Sequence, residues 1–175
     1  MKTGCERITG LDPSKLSAQY RVRRLDESDA EELLAFCLQN DQYYRYYGKQ
    51  PSKEQIFCDL HLTPPDTSAE DKYYVGFYDR DVLVAIMDLI DGYPDRDTAF
   101  IGFFMMNRQL QGRQLGSRIV QEVCIYLREM GLKRVLLGID KDNPQSNHFW
   151  AKNGFSVIRE AHQEEGVILV AEKSL

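Results

Sequence analysis

Hydrophobic and polar residues follow two different periods along the chain, and these predict a mixture of strands and helices. Period-two alternation, or a short apolar run bounded by turn residues, is typical of a strand, whereas apolar residues three and four positions apart are typical of one helix face. The predicted strands are residues 20–25, 72–79, 82–90, 98–106, 134–140, 155–160 and 167–173. The predicted helices are residues 30–39, 53–61, 112–130 and 144–153.

Residues with known capping preferences stand at the ends of the predicted helices. Asp26 or Ser28 can cap the first helix, and Ser52 resembles the first residue of a capping box at the second. Pro144 suits the first turn of the last helix, and Gly131 is a fitting stop for the long one. The resulting order is β-α-α-β-β-β-α-β-α-β-β. It predicts a single α/β domain over residues 20–175, with a central sheet of parallel and antiparallel neighbours. Residues 1–19 have little pattern, and we expect a loosely packed N-terminal extension.

Composition and charge restrict the class of protein. The 175 residues are 43% hydrophobic and 28% charged, which is ordinary for one globular domain. A net charge of −5 argues against a nucleic-acid partner, which should meet a basic surface. The first residues lack the apolar segment of a signal peptide, and no apolar run reaches the length of a membrane span. Four widely spaced cysteines indicate free thiols and neither a metal site nor a disulfide framework. We therefore expect a cytoplasmic protein.

The stretch QLQGRQLGSRIVQEV, residues 109–123, is the first candidate for chemistry. It lies where an apolar strand passes into the long helix, and a helix start presents unpaired backbone N–H groups and a positive dipole end. Gly112 and Gly116 would let an anion approach those amides, and Arg113 and Ser117 could add side-chain contacts. The same glycine spacing also serves tight packing. Neither a Gly-Lys-Ser/Thr phosphate loop nor a G-x-G-x-x-G dinucleotide motif is present in the sequence.

Two motifs together resemble the GNAT superfamily of N-acetyltransferases. FFMMNRQLQGRQLGSRIV (103–120) resembles its strand, loop and helix with the signature Q/R-x-x-G-x-G/A, and DNPQSNHFWAKNGF (142–155) resembles its second signature. Both occur in the family's order, and the match covers roughly residues 70–175. The resemblance implies a single-domain GNAT fold that binds acetyl-CoA and transfers the acetyl group by direct attack of a primary amine. The acceptor would be a small molecule or a peptide. A non-catalytic acyl-CoA-binding module is the alternative, and a homodimer is compatible with the resemblance.

The resemblance also implies which residues contact the cofactor. Backbone amides of the loop would hold the pyrophosphate of coenzyme A, and the end of the preceding strand would offer backbone groups to the pantetheine arm. Met106 would add an N–H that polarises the thioester carbonyl. The implied cofactor residues are Phe104, Met106, Gln111, Gly112, Arg113, Gln114, Leu115, Gly116, Ser117, Asn143, Asn147 and Trp150. Asn147 is a weaker candidate than Asn143 for a contact with the pantetheine.

The sequence departs from the family pattern at two of these positions. Gln114 stands where the family usually has glycine, and we expect it inside the first helical turn with negative φ. Trp150 stands where the family often has a tyrosine that protonates the leaving thiolate, and indole N–H is no acid at a usable pKa. Tyr126 or another tyrosine could replace it, and so could water. An amine attacks only as its free base, so a proton acceptor is also needed. The candidate proton acceptors are the carboxylates nearest the predicted strand 98–106, namely Asp97, Asp88 and Asp91.

The segment QYYRYYG, residues 42–48, contains four tyrosines directly after the first helix. Tyrosine suits half-exposed surfaces, so one interpretation is a cover for the sheet. The other is a wall of the acceptor site, which members of the family build from this region. Aromatic faces would suit a cationic amine, whereas a single arginine and the acidic net charge disfavour RNA.

Overall fold

The computed structural model describes residues 10–175, and its strands form a single sheet. The strands are β1 (Arg21–Arg24), β2 (Lys72–Asp79), β3 (Val82–Asp91), β4 (Thr98–Met106), β5 (Arg134–Asp140), β6 (Ser156–Gln163) and β7 (Gly166–Ser174). They lie in the order β1-β2-β3-β4-β5-β7-β6. Each predicted strand is present, and the ends differ by three residues or fewer.

The α-helices are α1 (Ala30–Leu38), α2 (Asp41–Tyr47), α3 (Lys53–His61), α4 (Leu115–Glu129) and α5 (Pro144–Lys152). The predicted order is therefore confirmed except for α2, because the sequence analysis interpreted these tyrosines as a cover for the sheet or a wall of the acceptor site and predicted no helix there. Tyrosine has a modest helix propensity, and a helix of seven residues shows too little periodicity to be recognised. Gly48 ends α2 in the left-handed conformation with φ 77°, a local signal that was available in the sequence.

The sheet combines antiparallel and parallel pairing, as predicted. Strands β1 to β4 are joined antiparallel in chain order, and β7 is antiparallel to both β5 and β6. Strands β4 and β5 are parallel. A parallel connection requires a long crossover, and helix α4 provides it. The loop that enters α4 therefore begins at the end of a central strand.

Both faces of the sheet are covered, and each has its own hydrophobic core. Tyr73, Val75 and Phe77 of β2 point to the core shared with α4, while Tyr74 and Tyr78 point to the core shared with α1, α2 and α3. Burial on both faces explains why β2 and β3 read as nearly continuous apolar runs. None of the described helices is long and apolar enough to cross a membrane.

Residues 10–19 differ from the loose extension that the sequence analysis expected. Leu16 is fully buried in the core shared with α4, and Leu11 is buried with it. The Ser17 hydroxyl donates to the Glu122 carboxylate on α4. Two buried apolar side chains and the hydrogen bond to Glu122 hold this segment, and neither gives a periodic signal in the sequence. Residues 1–9, the other part of the predicted extension, lie outside the described residues.

Strands β4 and β5 separate partway along their length. Their pairing ends at Ile101 opposite Leu137, while β4 continues to pair with β3 as far as Met106. The ladder with β3 is irregular at Gly102, which is left without a partner between Phe103 and Ile101. A bulge of this kind bends a strand and disrupts its ladder. The outer half of β4 thus borders an opening in the middle of the sheet.

Candidate functional site

The loop between β4 and α4 contains two residues in the left-handed conformation. Gly112 has φ 77° and Gln114 has φ 62°. Two predictions are therefore wrong, because α4 begins at Leu115 and not at residue 112, and Gln114 has positive φ at the N-cap. Left-handed residues interrupt the helix and turn the chain, so that successive N–H groups can face a common point. This geometry is typical of an anion-binding loop.

The start of α4 leaves its backbone amides available. No side chain among the described residues caps this helix, so the N–H groups of Leu115, Gly116 and Ser117 have no partner within it. A Cβ on Gly116 would lie 3.1 Å from the Met106 side chain and 3.4 Å from the Phe149 ring. Glycine thus lets the start of α4 pack closely against Met106 and Phe149. Arg113 lies on the exposed outer side of the loop.

A cavity of about 340 Å³ opens in front of this loop, and we call it the loop cavity. Most of the predicted cofactor residues line it. They are Phe104, Met106, Gln111, Gly112, Gln114, Leu115, Gly116, Ser117, Asn143 and Trp150. Arg113 and Asn147 are not among its lining residues. The sequence analysis did not select Asn40, Ser146 or Lys152, which also line it, and it considered Tyr43 only within the segment 42–48.

The two candidate asparagines have different surroundings. Asn143 is buried at the N-cap of α5, where its Oδ1 accepts a hydrogen bond from the Ser146 N–H at 3.0 Å. Its Nδ2 is the group that remains for a ligand. The Nδ2 of Asn147 donates to the backbone carbonyls of Asp140, Lys141 and Asn143. The Asn147 amide thus holds the turn between β5 and α5 and does not serve the cavity.

Backbone groups at the end of β4 face the opening beside β5. The Asn107 N–H donates to the Val84 carbonyl on β3 at 2.8 Å. Because hydrogen bonding alternates along an antiparallel strand, Met105 and Phe103 also bond to β3, whereas Phe104 and Met106 direct their N–H and C=O groups to the opposite side. That side is the opening, since β5 no longer pairs there. An extended ligand could add hydrogen bonds to this edge, where the Met106 carbonyl already accepts one from Gln111 Nε2.

Gln111 connects the loop to the other side of the molecule. Its Nε2 donates to Asn40 Oδ1 at 2.7 Å and to the Met106 carbonyl at 3.3 Å. Asn40 is buried between α1 and α2, and its Nδ2 donates to the Phe36 carbonyl. Sequence motifs cannot reveal this contact, because the two residues lie 71 positions apart.

Trp150 belongs to an aromatic cluster that borders the loop cavity. Its ring centre lies 6.0 Å from Phe104, 5.0 Å from Phe149 and 5.1 Å from Phe155. The indole is buried and serves as packing for the cavity wall. Tyr126, which the sequence analysis considered as a substitute acid, lies elsewhere, because its hydroxyl accepts the Asp12 N–H at 3.0 Å near the N-terminal segment.

A second cavity of about 370 Å³ lies on the face of the sheet covered by α2 and α3. We call it the tyrosine cavity, because Tyr43, Tyr44, Tyr47 and Tyr74 line it. Tyr43 also lines the loop cavity. The Tyr43 ring stands edge-on to Phe103 of β4 with 5.5 Å between ring centres. The two cavities therefore lie on either side of Tyr43, beside the bulged part of β4.

Asp88 is the predicted carboxylate that the structure brings to this place. It lines the tyrosine cavity, and its side chain covers Gly102, where a Cβ would lie 2.8 Å from Asp88 Oδ2. Lys72 Nζ donates to Oδ2 at 2.8 Å, while Oδ1 is buried with no hydrogen-bond partner among the described residues. Burial raises the pKa of the Asp88 carboxyl, and the Lys72 charge opposes that rise.

Asp97 and Asp91 are not brought to the cavities. Asp97 precedes the first residue of β4, so it lies roughly 30 Å from Met106 along the strand. Its carboxylate is exposed beside Arg96. Asp91 is buried opposite Ala99, near the same distant end of β4. Asp97 therefore stays a predicted base that the structure does not bring to either cavity. No group of three or more metal-ligating side chains occurs in the described part of the chain.

Comparison with known proteins agrees with this geometry. The model of the acetyltransferase (GNAT) family matches residues 31–155. An uncharacterized N-acetyltransferase of Bacillus subtilis (strain 168), YobR, is 22% identical over 124 residues, which are 70% of this chain and 47% of YobR. The chain thus spans about half the length of that relative.

Two solved structures show the same fold. An acetyltransferase from Thermus thermophilus has a TM-score of 0.72 at 20% identity, covering 88% of this chain and 96% of its own. The PaiA N-acetyltransferase from Thermoplasma acidophilum, solved in complex with coenzyme A, has a TM-score of 0.64 at 17% identity, covering 88% and 98%.

Proposed function

The chain belongs to the acetyltransferase (GNAT) family, and we propose that it transfers the acetyl group of acetyl-CoA to a primary amine. Acetyl-CoA would occupy the loop cavity and the amine would occupy the tyrosine cavity. The observation that carries this proposal is the separation of β4 from β5 beyond Ile101, with Tyr43 lining a cavity on each side of it. Two ligands bound in this way would meet at the free edge of β4.

The residues of the loop cavity fit the anionic and extended parts of the donor. The unpaired amides of Leu115, Gly116 and Ser117 suit a pyrophosphate at the positive end of α4. The outward N–H and C=O groups of Phe104 and Met106 suit the amide groups of a pantetheine arm. Acetyl-CoA would supply an activated acetyl group and a thiolate that leaves readily, since a thiol pKa is about 8.5.

Asp88 is the proposed proton acceptor for the attacking amine. The carboxylate covers the bulge at Gly102, and its raised pKa improves its ability to take a proton. Lys72 holds one oxygen, which fixes the orientation of the side chain. In the balanced reaction a nitrogen–carbon bond forms and the carbon–sulfur bond breaks. The proton from nitrogen passes to Asp88, and sulfur takes a proton.

Tyr43 is the proposed hydrogen-bond donor to the leaving sulfur. Trp150 cannot act as an acid, and Tyr126 lies away from the opening. Burial raises the pKa of the Tyr43 hydroxyl, so it remains protonated and can donate a hydrogen bond at any working pH. Water would then deliver the proton to the thiolate.

Two measurements test this function. Acetyl-CoA should raise the melting temperature, by an amount equivalent to about 2.7 kcal/mol at a hundredfold excess over Kd. Release of free coenzyme A should then be followed with a panel of primary amines. An absent thermal shift would overturn the donor assignment. A thermal shift without release of coenzyme A by any amine would indicate an acyl-CoA-binding module.

The proposed role of Asp88 as proton acceptor is tested by comparing the Asp88→Asn variant with the native protein. Asp88→Asn should lower kcat by about 100-fold or more while the thermal shift with acetyl-CoA persists, because the loop cavity is left intact. The persisting shift also shows that the variant folds with Lys72 unpaired. An unchanged kcat in Asp88→Asn would exclude this carboxylate as the proton acceptor.

A further inference from the structure

The tyrosine cavity contains a second carboxylate that the proposed reaction does not use. Asp59 on α3 lines this cavity together with Asp88. Its Oδ1 accepts a hydrogen bond from Gln55 Nε2 at 2.8 Å, one turn earlier on the same helix. Burial raises the pKa of the Asp59 carboxyl. A carboxylate in such a place is stabilised when a cation replaces the water that burial has removed.

The charges around the cavity do not cancel. Asp59 and Asp88 contribute two negative charges, and Lys72 contributes one positive charge through its contact with Asp88. The negative charge of Asp59 contributes to the raised pKa of Asp88, so the two carboxylates act on each other. One negative charge is therefore left over. An occupant with one ammonium group would balance it.

The walls of the cavity also suit a cation. Tyr43 and Tyr47 are stacked with 6.2 Å between ring centres, and Tyr44 stands edge-on to both. Lys72 Nζ lies 5.6 Å from the centre of the Tyr74 ring, which is an ammonium–aromatic contact at the edge of this cavity. A desolvated cation is stabilised by the negative face of an aromatic ring.

The reacting nitrogen cannot supply this positive charge. It must be an uncharged amine when it attacks, and its place is beside Asp88 at the bulge of β4. The ammonium that balances the cavity must then be a different group of the same molecule. Asp59, on α3, is the carboxylate left to receive it.

We infer that the acceptor is a diamine, in which one nitrogen takes the acetyl group beside Asp88 while a second, charged nitrogen is held by Asp59 and the tyrosine rings. This inference rests on the proposed function and assigns Asp59 as the residue that sets specificity. A monoamine would react more slowly, because it would leave Asp59 buried without a cation.

Putrescine and pentylamine test this inference, because they have the same length and differ only in an ammonium group replaced by a methyl group. The native protein should show a kcat/KM for putrescine at least about tenfold above that for pentylamine, equivalent to about 1.4 kcal/mol. Asp59→Asn should reduce this ratio to about one, mainly through a higher KM for putrescine. A thermal shift with acetyl-CoA that persists in Asp59→Asn shows that the variant folds.

A matched control is available on the same helix. Glu54 is an exposed acid at the start of α3 and does not line the tyrosine cavity, so Glu54→Gln should leave the preference for putrescine intact. Equal use of the two amines by the native protein would overturn the inference. So would an equal loss of both activities in Asp59→Asn.

Binding separates this inference from the proposed function. Calorimetry with the protein saturated in coenzyme A should show putrescine binding that is weakened about tenfold in Asp59→Asn. Binding that depends on Asp59 without any transfer would support the diamine site and overturn the transferase. Transfer to monoamines without putrescine binding would support the transferase and overturn the diamine site.

Discussion

Gln111 Nε2 and Asn40 Oδ1 are joined by a hydrogen bond of 2.7 Å that links the loop before α4 to the junction of α1 and α2. The bond connects the wall of one cavity to the helix that carries Tyr43. Since Asn40 is buried and its Nδ2 is also engaged, neither amide can turn without losing a partner. The loop and α2 are therefore positioned together.

We predict that Asn40→Ala and Gln111→Ala each weaken acetyl-CoA binding several-fold and lower stability by about 1 kcal/mol, the usual value of one hydrogen bond. The double variant should lose less than the sum of the two, because the same contact is removed twice. Isothermal titration and thermal unfolding measure both effects. Strictly additive losses would show that the two side chains act independently. Gln109→Ala, an exposed change in the same loop, is the control.

Gly116 and Gly112 should respond differently to a side chain. Gly116→Val places its Cβ 3.1 Å from Met106 inside the loop cavity, so acetyl-CoA should no longer raise the melting temperature although the fold persists. Gly112 has open space around its Cβ position but φ 77°, so Gly112→Ala should cost about 1 kcal/mol of stability and retain binding. The same thermal assay with and without acetyl-CoA separates the two. Normal binding by Gly116→Val would place the anion elsewhere.

Gln114→Gly should stabilise the protein. A side chain at φ 62° costs about 1 to 2 kcal/mol, and glycine removes that cost while adding about 0.4 to 1 kcal/mol of unfolded-state entropy. We expect a net gain of up to about 1 kcal/mol in chemical denaturation. Gln121→Gly, in the exposed middle of α4, should instead lose about 1 kcal/mol. A loss at both positions would contradict the strained conformation of Gln114.

Tyr43→Phe should lower kcat by about tenfold or more and leave the thermal shift with acetyl-CoA in place, because the ring remains and only the hydroxyl is lost. Steady-state assays of coenzyme A release would measure this change in kcat. Tyr126→Phe is the matched control, since its hydroxyl is bonded to the Asp12 N–H, and its rate should not change. Equal rates for Tyr43→Phe and the native protein would leave water as the donor to sulfur.

The Arg23–Asp29 pair predicts a pH dependence of stability. Arg23 donates two hydrogen bonds to the Asp29 carboxylate, at 2.7 and 3.0 Å, and these lower its pKa below the ordinary 3.8. A lowered pKa contributes stability above the unfolded value, and the contribution is lost as pH falls through the folded value. The free energy of unfolding of Asp29→Asn should therefore be about 1 kcal/mol below that of the native protein at neutral pH. This difference should become smaller below about pH 4. Asp41→Asn, which removes an exposed pair with Arg45, should show no such difference.

The loop cavity was largely predictable because its residues are contiguous in the chain. A strand, two glycines and a helix start lie within residues 103–120, and the second motif supplies Asn143 and Trp150. The tyrosine cavity was predictable only in part, because the sequence analysis named Asp88 and the tyrosines of residues 42–48 but neither Asp59 nor Tyr74. Asp59, Tyr74 and Asp88 come from three separate elements, and only the folded sheet brings them together. Burial, which raises the pKa of Asp88 and Asp59, has no local signal in the sequence.

The conformation of Gln114 shows a different limit of sequence reasoning. The hydrophobic pattern of α4 extends back toward Gly112, so periodicity alone places the helix start too early. The left-handed turn at Gln114 lies three residues after Gln111, which is held by its long-range contact with Asn40. Local propensity favours negative φ for glutamine, and the tertiary arrangement overrides it.

The free backbone edge at Phe104 and Met106 has a consequence for solubility. Unpaired N–H and C=O groups on an outer strand invite pairing with other chains and hence aggregation. Here they lie inside the sheet, at an opening closed at one end by Ile101 and Leu137 and lined by the rings of Phe149 and Trp150. The protein can therefore keep hydrogen-bonding groups ready for a slender ligand without offering them to another polypeptide strand.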